Sequence, residues 1–405
     1  MSANGVAPVV IVGAGLAAWT TARELRKLDP SVSIALVTRD NGDFYAKPTL
    51  SNAFGQKRSP DQLVTTPAAA MAANLHITLH AHTTVQSIDT ASRTVRVHQG
   101  DSTRTMAYSR LVLATGANPI RVPMAGNATH AVHTVNHLDD FRGLHADLSA
   151  LPQRADGSPA TVLLIGAGLI GCEFANDLAQ GGFAVQVVDP AARPLPALLP
   201  AAASEQLRNA LQTLGVAWHL GCTVGTLDAS PGGAHRYAAT LSDATVIAAD
   251  AVLSAVGLRA DTALAAAAGL ACERGVLVDA HLQTSVPDVY ALGDCAQYSA
   301  AGGRTLPYVM PIMNAARALA ATLAGTPTAL VFPLMPVAVK TPVLPITVAA
   351  PDPALQGQWT QDPATIDLHE GGAWRFVDAA GVQRGFVLTG KQTAKRMEWS
   401  KATLA

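Results

Sequence analysis

The sequence predicts an α/β fold: two Rossmann-like β-α-β domains followed by a small α+β C-terminal domain. Three observations carry that expectation. The chain has 405 residues, enough for several domains at roughly 100–200 residues each. Residues 9–19 (VVIVGAGLAAW) and 162–173 (VLLIGAGLIGCE) repeat one pattern of aliphatic strand, glycine turn and helix-compatible stretch. Each copy then returns to a second strand, at Ser31–Thr38 (SVSIALVT) and Ala184–Asp189 (AVQVVD).

The glycines have a specific physical meaning. Gly13 and Gly166 allow a tight turn, while Gly15 and Gly168 let the backbone approach a diphosphate. Such a group would sit against free N–H groups at a helix N-terminus. The third place holds Gly171 in the second copy and Ala18, still small, in the first. Two copies in strand–turn–helix context predict two dinucleotide sites. Asp189 ends the second strand of the second copy, where a carboxylate binds ribose hydroxyls and favours NADH over NADPH; Arg193 stands nearby as the opposing influence. The first copy has Thr38 there, followed by Arg39 and Asp40, so a ribose would meet Thr38 or backbone groups.

Composition narrows the function classes. Hydrophobic residues make up 49% and charged residues 14% of the chain, which provides for cores and argues against disorder. The formal charge of −1 gives no global field for nucleic acid or anionic membrane, and 5% aromatic content disfavours a base-stacking surface. Pro333 and Pro336 interrupt the most apolar stretch, Leu330–Val339, so no run approaches the roughly 18 residues of a membrane helix. The opening MSANGVAP has no signal-peptide character, so a cytoplasmic protein is expected. Cys172, Cys222, Cys272 and Cys295 form no CxxC pair; the usual spacings of disulfide frameworks, zinc ribbons and iron–sulfur sites are missing.

Further segments resemble the two-dinucleotide-binding FAD-dependent pyridine nucleotide reductases. They are LVLATGANP at 111–119, VLSAVGL at 252–258 and TSVPDVYALGDCA at 284–296. Within that family FYAKPTLSNAF at 44–54, PVAVKTP at 336–342 and GAGLIGCEFANDLA at 166–179 resemble the rubredoxin reductases of bacterial alkane-hydroxylase systems. Ferredoxin reductases usually carry a lysine where this chain has Asn52.

The resemblance implies a discontinuous FAD domain (1–121 and 256–330), an inserted NADH domain (122–255) and a C-terminal interface domain (331–405). FAD would be held by Gly13, Ala14, Gly15, Leu16, Ala17, Thr38, Arg39, Lys47, Val85, Glu173, Asp294, Ile312 and Lys340. NADH would be held by Gly166, Gly168, Leu169, Ile170, Gly171, Asp189 and Gly257. Asp294 would accept hydrogen bonds from the ribityl chain, and Lys47, Glu173 and Lys340 would tune the flavin electrostatically. No residue would act as acid, base or nucleophile, and no metal is implied. Electrons would pass from NADH through FAD to rubredoxin and on to an alkane hydroxylase, in a protein expected to be a monomer. The alternatives are a ferredoxin reductase serving a dioxygenase or P450, and a redox-signalling flavoprotein of the apoptosis-inducing-factor type.

The residues themselves bear on these readings. Thiol-dependent relatives need a cysteine in the stretch that here reads Leu50-Ser51-Asn52-Ala53. Cys172 and Cys295 read as small buried hydrophobes, Lys47 as either a flavin-facing cation or a solvated lysine, and Glu173 as a possible helix-dipole carboxylate. Lys340, among apolar residues, needs a partner, for which the resemblance offers the flavin. His76, His80 and His82 alternate with apolar residues as on one strand face, and His130, His133 and His137 receive no role. The tail predicts strands at Leu344–Ala349, Trp374–Val377 and Gly385–Thr389 and a final helix. In that helix Lys391, Lys395, Arg396 and Lys401 form either a solvated face or a landing site for a small acidic redox protein.

Overall fold

In a computed structural model of the protein, residues 7–152, 156–230, 232–365 and 370–403 are described; the first six residues of the N-terminal stretch lie outside that range. The chain divides into two compact units, one of residues 1–46, 64–118 and 258–332, the other of residues 47–63, 119–257 and 333–405.

The first unit is built on a five-stranded parallel sheet. Val9–Val12 lies at its centre between Ile34–Val37 and Arg110–Leu113. Thr78–His80 and Val289–Ala291 extend the two sides. Every residue of Val9–Val12 and Ile34–Val37 is buried, as a parallel sheet covered on both faces requires. The helix Leu16–Leu28 follows the first glycine turn, and its Thr20 hydroxyl lies 3.8 Å from the Met313 sulfur of the helix Val309–Leu323. An antiparallel meander, Thr84–Asp89, Thr94–Gln99 and Ser102–Ala107, completes the unit.

The three alternating histidines do not share a strand face. His76 ends the helix Ala68–Leu75 in the left-handed conformation, with φ of 50°. Only Thr78–His80 is strand, and His82 is again left-handed. The two turns break the period-two pattern that the sequence suggested. His80 Nδ1 accepts a hydrogen bond from Arg104 (2.8 Å), and burial, aided by the Arg104 charge, lowers its pKa.

The second unit repeats the parallel arrangement. Its sheet runs Val132–Thr134, Ala251–Ser254, Thr161–Ile165, Ala184–Asp189, Ala217–Leu220. The glycine-turn helix here is Leu169–Gln180. The tail forms a five-stranded antiparallel sheet in the order Val337–Val339, Ile346–Ala349, Gln383–Thr389, Ala373–Asp378, Gly357–Gln361. Two of these strands escape the sequence pattern. Val337–Val339 is a short piece beside prolines, and Gly357–Gln361 (GQWTQ) is a polar, largely exposed edge. The helix Arg396–Ala402 is anchored by Trp399, 7% exposed. Tail and inserted domain share one hydrophobic cluster: Val339, Ile346, Val348, Trp374 and Val387 belong with Leu199, Leu207 and Leu253. That common core is why the tail is part of this unit. Residues 47–63 also belong to it, as two 3₁₀ turns, Lys47–Asn52 and Pro60–Leu63.

Candidate functional sites: two glycine cradles and a polar cluster

In the first unit the chain turns at Gly13 with φ of +114°, and an added Cβ would lie 2.2 Å from the Ala114 carbonyl oxygen. Gly15 caps the helix Leu16–Leu28 without a side-chain hydrogen bond, and a Cβ there would meet nothing within 4 Å. Free N–H groups thus face open space at the positive end of a helix, the arrangement that receives a diphosphate. Gly293 (φ +82°) carries the 3₁₀ turn Gly293–Cys295, and its Cβ would come 3.0 Å from Ala17 Cβ. Asp294 is the next residue of that turn.

Tyr298, which the sequence did not single out, holds this turn. Its hydroxyl accepts the Gly293 N–H at 2.7 Å and lies 3.2 Å from the Gly293 carbonyl; burial pushes its pKa up. Thr38 is 5% exposed, and its hydroxyl donates to Asp40 Oδ1 at 2.6 Å. Arg39 is exposed; Ala14 and Ile312 are each 9% exposed. Val85 is half-buried on the meander.

The second cradle is tighter. Gly166 has φ of +110°, and a Cβ on Gly171 would lie 2.0 Å from the Gly166 carbonyl oxygen. Only glycine fits the third place here, whereas Ala18 fits in the first copy. Gly168 caps its helix without a side chain and again has nothing within 4 Å of a Cβ. Leu169 and the 40%-exposed Ile170 form the first helical turn. Asp189 accepts the N–H groups of Ala167 (2.6 Å) and Ala191 (2.7 Å), which fixes its carboxylate beside the glycine turn. Arg193 is turned into its own loop, donating to the carbonyls of Leu199 (3.2 Å) and Pro196 (3.4 Å). Gly257 has φ of +112°, and its carbonyl accepts the Ile120 N–H at 3.0 Å.

The third arrangement is a polar cluster within the second unit. Glu173, with no exposed side-chain surface, pairs with Lys340 Nζ at 2.6 Å. Its Oε2 also accepts the Ser51 hydroxyl at 2.7 Å, and its Oε1 accepts the Lys340 N–H at 2.9 Å. Lys340 Nζ additionally reaches Ser51 Oγ (3.1 Å) and the Pro48 carbonyl (2.5 Å). The partner that the Lys340 ammonium needed is therefore a carboxylate of its own chain. Lys47 donates to Asn136 Oδ1 at 2.9 Å. Cys172 and Cys295 are fully buried and burial pushes both thiols up. In the tail Lys391 pairs with Glu370 (2.8 Å), while Lys395, Arg396 and Lys401 are exposed around Met397, itself 64% exposed.

A family model described as pyridine nucleotide-disulphide oxidoreductase matches residues 7–321, and one described as a rubredoxin binding C-terminal domain matches residues 329–403. The chain is 40% identical to a rubredoxin-NAD(+) reductase of Acinetobacter baylyi, over 96% of this chain and 95% of that one. It is also 40% identical to a nitric oxide reductase FlRd-NAD(+) reductase of Aeromonas salmonicida, over 87% of each. The fold matches that of a covalent putidaredoxin reductase–putidaredoxin complex with a TM-score of 0.86 and 25% identity, over 99% of this chain and 94% of that one.

Proposed function

The chain belongs to the pyridine nucleotide-disulphide oxidoreductase family, and on that premise we propose that it passes electrons from NADH through FAD to rubredoxin. The observation that carries the reading is the pair of uncapped glycine cradles joined to a tail that matches a rubredoxin binding domain. FAD, when bound, takes up two electrons as hydride and releases them singly to a one-iron carrier. The chain's part is to bind and orient. Gly13–Ala17, Thr38, Arg39, Val85, Asp294 and Ile312 are assigned to the FAD side. Gly166, Gly168–Gly171, Asp189 and Gly257 are assigned to NADH. Glu173, Lys340 and Lys47 supply fixed charge, and no thiol pair or general base is required.

In this reading the functional division is an FAD domain at 1–121 and 256–330, an NADH domain at 122–255 and an interface domain at 331–405. A cytoplasmic monomer feeding an alkane hydroxylase completes the proposal. Among the described residues no helix is long and apolar enough to cross a membrane. The Aeromonas relative, by its name, serves a nitric oxide reductase; that system is the second reading of the acceptor.

The deciding experiment is stopped-flow reduction of the FAD-loaded protein by NADH, followed by mixing with rubredoxin or ferredoxin. Flavin bleaching followed by faster reoxidation with rubredoxin is expected. A flavin that NADH leaves oxidised overturns the proposal, as does reoxidation by ferredoxin faster than by rubredoxin.

A further inference from the structure

The helix Leu169–Gln180 carries more than its glycine N-terminus. Glu173, Asn176 and Asp177 lie on one face, each at most 1% exposed. Buried polar groups at this depth require partners. Here acceptor oxygens of all three meet backbone N–H groups of two irregular segments, while Asn176 Nδ2 has no hydrogen-bond partner among the described residues. Glu173 accepts Lys340 N–H (2.9 Å) and Asn176 accepts Val343 N–H (3.1 Å). Asp177 accepts three in succession: Ala53 (3.0 Å), Phe54 (3.1 Å) and Gly55 (2.8 Å). Consecutive N–H groups converging on one carboxylate form an anion nest. The Phe54 ring adds an apolar plug, with centroids 5.3 Å from Phe141, 5.7 Å from His145 and 5.9 Å from Phe183. The approach is close enough that a Cβ on Gly181 would lie 2.9 Å from Phe54 Cβ.

Ala53 is two residues from Ser51, whose hydroxyl touches both Glu173 and Lys340. We propose that Asp177 is a positioning residue for hydride delivery from NADH, acting through Ser51 on the Glu173–Lys340 pair. The plug holds the segment against the unit; the nest sets its register along the helix. A slip of about 1 Å would break hydrogen bonds of 2.7 and 3.1 Å at Ser51, and displacements of that size cost up to about 100-fold in rate at reacting centres. The role rests on the function proposed above.

The test compares FAD-loaded wild type, Asp177→Asn, Asp177→Ala and Ser51→Ala by stopped-flow reduction with NADH, with amide hydrogen exchange at residues 53–55 measured alongside. The limiting reduction rate should fall about tenfold in Asp177→Ala, and the apparent Kd for NADH should stay within about twofold. Asp177→Asn, which keeps one acceptor oxygen, should recover part of the rate. Exchange at 53–55 should rise in both Asp177 variants but not in Ser51→Ala, which should still lose rate. Wild-type limiting rates in Asp177→Asn together with faster exchange would show a purely structural anchor and overturn the proposal. A wild-type rate in Ser51→Ala overturns it too, even if Asp177→Ala does not fold. Failure of NADH to reduce the wild-type flavin is a separate result, against the function and not the positioning.

Discussion

Single atoms decide most at the two cradles. Gly168→Ala adds a methyl group where nothing stands within 4 Å, while Gly171→Ala drives one against a carbonyl oxygen at 2.0 Å. Gly168→Ala should keep the wild-type melting temperature while raising the Kd for NADH about tenfold, a loss of ~1.4 kcal/mol. Gly171→Ala should lose stability as well as binding. Thermal melts and nucleotide titrations distinguish the two, and equal losses of stability would remove the distinction. The Glu173–Lys340 pair makes a second expectation. Lys340→Met leaves a fully buried carboxylate without its cation and should cost about 3 kcal/mol in urea unfolding, since breaking one side of a buried pair is worse than removing both. The double variant Glu173→Gln/Lys340→Met should recover most of that loss; an unaltered single variant would mean that the Ser51 hydroxyl and the backbone N–H of residue 340 satisfy Glu173 without the ammonium. The glycines could be read from the sequence because phosphate and backbone geometry confine them to one local pattern. The pairing could not, because its partners are 167 positions apart and meet only through tertiary folding.

Among elements, the central strands were legible and the edges were not. Fully buried parallel strands are continuous apolar runs, which is how Val9–Val12 and Thr161–Ile165 stand out. Gly357–Gln361 has no such run, and its pairing is visible only beside Ala373–Asp378. The segment 47–63 shows the same limit: nothing in its composition reveals that Asp177 and Phe141 receive it. The helix Leu138–Ser149 supports a pH expectation. Burial acts to raise the pKa of Asp147, but hydrogen bonds from Arg236 and His133 overcome it and hold the carboxyl low. A depressed acid contributes stability above its unfolded pKa of about 4, and that contribution is lost as pH falls through the folded value. Asp147→Asn should therefore lower the urea midpoint at pH 7, and the gap to wild type should close on acidification. A gap independent of pH would assign the effect to packing.

For the whole molecule, nucleotide choice and partner choice are set in different places. Asp189 is held beside the second glycine turn, where a carboxylate opposes a 2′-phosphate, while Arg193 is spent on its own loop, so kcat/KM for NADPH should be lower than for NADH by about tenfold or more. Equal values would mean that Arg193 swings out. The net charge of −1 leaves docking to a local patch. Lys395, Arg396 and Lys401 are exposed in one short segment with Met397 and Glu398, and a few such charges can steer encounter at a small transient interface. Reversing Lys395 and Arg396 to Glu should slow rubredoxin reduction, most at low salt where screening is weakest, and leave flavin reduction by NADH unchanged. A wild-type rate at every salt concentration would make the patch a solvated face.

The composition of the second unit also governs how the protein can be made. Its three stretches are separated along the chain, and its core includes Ile346, Trp374 and Val387. On the ribosome, where chains emerge at about 5–20 residues per second, the part of the 119–257 core that packs against Ile346, Trp374 and Val387 must wait for those residues before it is covered. Glu173 likewise waits for Lys340. The newborn polypeptide thus has a vulnerable interval in which its nucleotide-binding half is written but unfinished, and chaperones or low temperature during expression would act on that interval. A premature stop before Val339 would remove more than a landing place for the acceptor: the nascent half-protein would never close.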